Sequence, residues 1–224
     1  AATAATAAAA AFDAWPEGLP EARATASRQA ATSASKRRNS NNPNLPTEYA
    51  LRQAPNKLQV ASAYGADADT EAAVSAGLKW LAGAQSASGA WVARDFGAGT
   101  ETYALGLDRQ GTGSRADTGV TGLALLAFLS AGHTHLAGDY QQTVGLGLRS
   151  LLESQMPSGD LSGPKQLGNE HSVLNAKMYC HSIATLSLAE AYAMTRDREL
   201  REALLRAAQY SINAQDPKGG GWRY

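Results

Sequence analysis

The chain has 224 residues and only one cysteine, Cys180. That excludes an intramolecular disulfide framework and any zinc cage built from several thiolates. Charge of one sign is missing too, with 20 Lys and Arg against 20 Asp and Glu. A nucleic-acid binder shows a basic excess, and so does a domain drawn to an anionic membrane surface, so the balance argues against both. No apolar run approaches the roughly 18 residues that a transmembrane helix needs. The longest, Gly122 to Leu129, is far shorter. Aromatics make up only 7%, so the core has to be built from small side chains that let helices approach closely. No Gly-rich phosphate loop, nucleophile elbow or Walker pattern occurs. The opening AATAATAAAAAF has neither the basic start nor the leucine-rich stretch of a signal peptide. The compartment therefore stays open, and an upstream signal or anchor remains compatible with the sequence. The Ala at position 1 and the Gly-rich turn before Tyr224 read as the trimmed ends of a longer protein.

What is present divides at about residue 70. In residues 1–69, Phe12, Trp15, Leu19, Leu45 and Leu51 are scattered among Ala, Ser, Thr, Asn, Pro and Arg. Such a stretch cannot bury enough apolar surface to offset its backbone entropy, which predicts a low-complexity, disordered linker. Within it, SKRRNSNNPNLP (35–46) is linker chemistry, and Lys36-Arg37-Arg38 reads as a solvated charge run.

From residue 70 to 224 helical periodicity appears, and with it an internal repeat. Three segments superimpose: Glu71–Trp91, Gln141–Leu161 and Arg201–Trp222. Each is an amphipathic helix that closes at a Gln, followed by a Gly-containing turn and a large apolar residue. Val74, Val144 and Leu204 are equivalent, as are Gly77, Gly147 and Ala207. Gln85, Gln155 and Gln215 close the helices, and Gly89, Gly159 and Gly219 supply the turns. Trp91, Leu161 and Trp222 complete the units. A second helix type lies between them, over 116–132 and 178–195. The first of these is apolar nearly all round, which predicts burial on both sides. Asp117 is expected to cap it, and Asp139 and Asp197 to sit at the starts of the outer helices. The predicted architecture is all-α, with helical hairpins of apolar inner and amphipathic outer helices.

The Gln-x-x-x-Gly-x-Trp pattern, QSASGAW at Gln85–Trp91 and QDPKGGGW at Gln215–Trp222, resembles the QW motif of the squalene cyclase and protein prenyltransferase superfamily. The middle copy, QMPSGDL, has Leu161 in place of Trp. DTGVTGLALLAFLSAGHTH and MYCHSIATLSLAEAYAMT resemble the prenyltransferase/squalene oxidase repeat of bacterial, planctomycete-type proteins. The resemblance covers residues 71–224. It implies a partial α/α-toroid in which inner helices line a cavity and the QW turns staple inner to outer layer. The five helices that can be placed are roughly half of a closed ring, so further C-terminal repeats are expected to complete it. It also implies a hydrophobic or isoprenoid ligand, or a protein partner, in the cavity or on the loop face. The alternative is an isoprenoid-processing enzyme whose catalytic motif lies in further repeats.

Tested residue by residue, the chemistry of those families is incomplete here. Cyclases of the alkene-protonating kind use an Asp-x-Asp-Asp acid, and this chain has only the lone Asp117, followed by Thr-Gly-Val. The transferases hold zinc with an Asp two residues before a Cys, where this chain has Met178 before Cys180. Cys180 and His181 are adjacent, so on a helix they do not face a common ligand, and a buried structural thiol is expected. His133 and His135 could clip a metal only with a third ligand, so an exposed link is expected there. No metal or cofactor is implied, and the catalytic residues stay unassigned. The candidates for a cavity are Asp117, Tyr179, His181 and Glu190. Glu190, inside an inner helix, would be a general acid if it faced the cavity, or a satisfied structural carboxylate if it met a helix end. His171 and the two inserts, 92–115 and 162–177, are candidates for a rim or lid.

Overall fold

The computed structural model describes residues 45, 47–100, 103–104, 106–108, 111–163 and 177–222. All of these lie in one compact unit, Asn44–Tyr224. Residues 1–44 and His171, with the centre of its insert, fall outside the described residues.

The described chain is all-helical, with helices α1 (Thr47–Gln53), α2 (Lys57–Ser62), α3 (Ala68–Gly83), α4 (Asp117–Ser130), α5 (Gln141–Ser154), α6 (Lys177–Thr195) and α7 (Arg198–Asn213). The sheet-like pairing among the described residues is a two-rung antiparallel ladder, β1 (Tyr103–Ala104) on β2 (Leu107–Asp108). None of these helices is long and apolar enough to cross a membrane.

Local chemistry sets the helix ends. Asp67 and Thr70 form a reciprocal capping box at the start of α3. The Asp197 side chain caps α7 by accepting from Glu199 N–H at 2.8 Å. Gly132 (φ 93°), two residues past the end of helix α4, turns the chain away. There His133 N–H reaches back to Phe128 O at 2.9 Å, the six-to-one bond of a Schellman turn.

α4 and α6 lie side by side in the same direction, because Gly119 meets Cys180 and Gly122 meets Ile183 and Ala184. A Cβ on either glycine would stand 3.0 Å from its neighbour, so these two positions set how closely the helices approach. α5 covers α4, where Gly147 sits against Leu125 and Trp91. α7 covers α6, burying Leu200, Ala203, Leu204 and Ala207 at helical spacing. The core formed between the two layers includes Leu125, Phe128, Leu129, Val144, Leu151, Leu161 and Leu188, each exposed by 1% or less.

Four expectations need correction. Residues 47–62 fall in the stretch assigned to a disordered linker, yet they form α1 and α2. The reason is docking: a Cβ on Gly132 would collide with the Arg52 carbonyl, so α1 rests on the end of α4. Helix α4, expected to be buried on both sides, is not, since its Leu123 is 55% exposed. Val74 is 43% exposed, whereas its counterparts Val144 and Leu204 are buried. Asp117 is not a side-chain cap of α4; its Oδ1 accepts from Ala93 N–H at 2.9 Å and ties the 3-10 turn Ala93–Phe96 to the inner helix.

Candidate functional site

The polar chemistry of the described chain is concentrated in three corners, at the starts of the inner helices and at the ends of the inner helices.

In the first corner Gln85 Nε2 donates to Gly89 O (2.8 Å) within the turn and to Thr143 O (2.9 Å) on α5. Trp91 Nε1 donates to Leu81 O (2.8 Å), an end carbonyl of α3. Its ring is buried and packs on Phe128, with centroids 6.0 Å apart. The second corner repeats the reach to the next helix, with Gln155 Nε2 on Ala203 O at 2.8 Å. Arg206 then donates to Gln155 Oε1 at 2.6 Å. In the third, Gln215 Nε2 donates to Gly220 O (2.6 Å) and Trp222 Nε1 to Ser211 O (2.6 Å). Trp222 is 54% exposed there, so this indole is not enclosed as that of Trp91 is. The turn position equivalent to Gly89 (φ 84°) and Gly159 (φ 91°) is Gly220 (φ 69°), not Gly219. The extra glycine of QDPKGGGW shifts the register by one.

Each of the first two corners is also fastened to an inner helix. Trp91 N–H donates to Thr121 Oγ1 (3.0 Å) on α4, and Leu161 N–H to His181 Nδ1 (3.1 Å) on α6. With Nδ1 accepting, the His181 proton sits on Nε2 and is given to Ser211 Oγ at 2.9 Å. His181 is fully buried, and burial pushes its pKa down despite the opposing charge of Asp160. It is therefore a structural bolt rather than a group at a cavity mouth. Beside it, burial pushes the Cys180 thiol up, which suits an inert packing residue against Gly119.

Glu190 meets α1. Arg52 Nη1 pairs with its Oε2 at 2.5 Å, and Tyr49 Oη donates to its Oε1 at 3.2 Å. Burial, with the carboxylate charge beside it, pushes the Tyr49 hydroxyl above its ordinary pKa. Held by a guanidinium and a phenol, this carboxylate latches α1 onto α6. Its partners lie 138 and 141 residues away in sequence, within a stretch whose composition signals only linker.

The two link histidines point apart. His133 stands edge-on to Tyr140 and accepts from Asp139 N–H through Nδ1. His135 Nε2 meets Asp197 Oδ2 at 2.9 Å. Both are half-buried rather than exposed. Among the described residues no group of three His, Cys, Asp or Glu is placed to hold a metal ion.

What remains open is a face. On α4 and α6 the residues that meet the outer layer and each other are buried, including Thr121, Leu125 and Phe128 on one helix and His181, Ala184 and Leu188 on the other. By helical period Leu123, Tyr179 and Leu186 are turned away from the outer helices. They are 55%, 55% and 51% exposed. Of the cavity candidates, only Tyr179 lies on this face with its side chain accessible; Glu190, further along it, is engaged by α1.

Comparison of the chain with family models, with curated proteins and with solved structures returns no match.

Proposed function

We propose that the chain is an α/α-toroid repeat protein of the squalene cyclase and prenyltransferase kind. Its inner helices α4 and α6 present an apolar face that binds an elongated hydrophobic ligand of isoprenoid type. The QW-like corners support the architecture: Gln85 and Gln155 each bridge from one outer helix to the next. The observation that carries the ligand reading is the exposure of Leu123, Tyr179 and Leu186 on the helices that otherwise pack most closely. Exposed apolar patches on soluble proteins mark binding sites. The reading is of binding without turnover. Glu190, His181, Cys180 and Asp117 are each committed to contacts within the fold.

Farnesol titrated into the full chain tests this. Saturable binding is expected, and Leu123→Asp with Leu186→Asp should weaken it by roughly tenfold or more, since each buried Leu is worth about 1.5–3 kcal/mol. Both positions are exposed, so the double variant should fold normally. Undiminished binding in it, or no binding by the parent, removes the proposal. Formation of a cyclised or transferred product from squalene or farnesyl diphosphate would replace it with the enzymatic alternative.

A further inference from the structure

Where α4 begins and α5 ends, beside the first corner, the fold leaves a cavity of about 580 Å³. That lies within the roughly 300–1,000 Å³ of small-molecule sites. One side chain in its wall is unaccounted for by the fold. Thr118 lines the cavity and is 5% exposed, yet its Oγ1 has no hydrogen-bond partner among the described residues. A buried hydroxyl left unpaired costs stability, and native proteins seldom leave one without cause. Thr121, one turn further along and in the same wall, gives the contrast, since its hydroxyl accepts from Trp91 N–H. Gly163 lines the cavity too, and a Cβ on it would stand 3.8 Å from Thr118 Oγ1. Its φ of 103° favours glycine, and glycine keeps a side chain off that hydroxyl.

The charges around Thr118 narrow what satisfies it. Arg94 and Arg115 line the cavity together with Asp117 and Glu153, two cations against two anions. A ligand of one sign meets repulsion from one pair. A zwitterion needs the signs at opposite ends, but Arg115, Asp117 and Thr118 fall within four consecutive residues at the start of α4. Donors and acceptors are thus interleaved. The Arg94 guanidinium donates, Asp117 keeps Oδ2 to accept while its Oδ1 holds Ala93 N–H, and the Thr118 hydroxyl does either. Alcohols match such a wall, because each donates and accepts through one atom.

We propose that this cavity binds a neutral saccharide of one or two rings. Thr118 Oγ1, the Asp117 carboxylate and the Arg94 guanidinium bond its hydroxyls, and Val92 and Leu151 supply apolar lining for its C–H faces. The site is separate from the apolar face of the inner helices. Thr121, two residues before Leu123, points roughly the opposite way round α4. The saccharide site therefore does not depend on the hydrophobic-ligand reading.

The full chain, fluorescently labelled, is applied to an array of neutral mono- to tetrasaccharides, and the strongest binder is titrated by calorimetry. Saturable binding is expected. Thr118→Val removes the hydroxyl and keeps the shape, and should weaken binding by about fivefold, the worth of one hydrogen bond. Arg94→Gln, at an exposed position, should weaken it by a similar factor. Thr118→Val should also melt no lower than the parent, because the group it removes is unpaired in the fold. Leu123→Asp with Leu186→Asp should leave saccharide binding unchanged, so the two bindings fail separately. Binding to no saccharide overturns the proposal, as does equal binding by the parent and Thr118→Val. A lower melting temperature for Thr118→Val overturns it too, since the hydroxyl would then be bonded within the fold. Glycine betaine or inorganic phosphate saturating the chain when no saccharide does would replace it with a charged ligand.

Discussion

Helices α3 and α7 are both amphipathic, both capped by an aspartate, and of equal length, yet α7 buries Leu200, Ala203, Leu204 and Ala207 whereas α3 buries only Leu78. Val74 and Leu204 hold the same place in the two helices; one is 43% exposed and the other 4%. The two helices differ in sequence, and they differ in what packs on them: a corner sits on α7 and, among the described residues, none sits on α3. Burial depends on the neighbour as well as on the helix's own pattern, so two helices of equal length contribute unequally to stability.

The two tryptophans give the widest contrast. Trp91 is 2% exposed, packs on Phe128 and bonds Leu81 O. Trp91→Ala should cost about 3–5 kcal/mol, the range for deleting a buried Trp or Phe. Trp222→Ala, at a half-exposed position, should cost about 1 kcal/mol, the worth of its hydrogen bond. Denaturant unfolding of the two variants measures both. Equal losses would mean that the third corner is enclosed as the first is.

The turn glycines come next. Gly159 combines a φ of 91° with backbone in the way of any Cβ, the Arg206 carbonyl. Gly159→Ala should cost about 1–2 kcal/mol for the left-handed conformation and a further ~1–3 for the collision. Gly220→Ala meets its nearest atom, Gln215 Nε2, only at 4.0 Å. Its cost should stay at about 1–2 kcal/mol, the conformational part alone. Thermal melts of the pair separate the close approach from the φ requirement.

These contrasts mark how far the sequence could be read. Periodicity locates α3 to α7, and the shortage of aromatics forecasts close helix contact, which Gly119 and Gly122 provide. Gln85 and Gln155 stand out by spacing, which fixes where they are but not what they bond. Spacing cannot show what lies across from a residue. That is why Val74 and Val144 read alike, why Trp222 reads like Trp91, and why Asp117 reads as a cap when it holds Ala93 N–H instead. The inserted glycine of the third corner hides Gly220 behind Gly219, since only φ distinguishes them. Glu190 is the hardest case. Tyr49 and Arg52 gain their meaning from a short helix whose own sequence has little apolar content, and docking against Gly132 rather than propensity holds it.

The smallest difference separates the first two corners by the chemistry of one acceptor. Trp91 N–H is held by the Thr121 hydroxyl, which does not titrate, and Leu161 N–H by the His181 imidazole, which does. Burial lowers the folded-state pKa of His181, so the unfolded chain takes up its proton first as the solution is acidified. The stability it contributes is therefore complete above the ordinary value of about 6.5 and is lost as pH falls from there towards the folded pKa. Protonated Nδ1 cannot accept, so the second corner loses its bolt while the first keeps its own. The Asp160 carboxylate, 4.0 Å from Nδ1, opposes the loss, and the Lys177 ammonium bonded to Asp160 offsets that help. Amide hydrogen exchange reads the effect directly, because the shared pH dependence of the intrinsic rates cancels in a ratio of two amides measured together. On acidification the Leu161 amide should lose protection relative to Trp91 by about fivefold, the equivalent of one hydrogen bond of about 1 kcal/mol. His133, also lowered by burial, titrates in the same direction, so a His133→Gln background isolates the effect to His181. A ratio that stays constant with pH in that background would mean that the imidazole is held by its packing against Tyr210 and Ser211 and contributes nothing through the Leu161 bond.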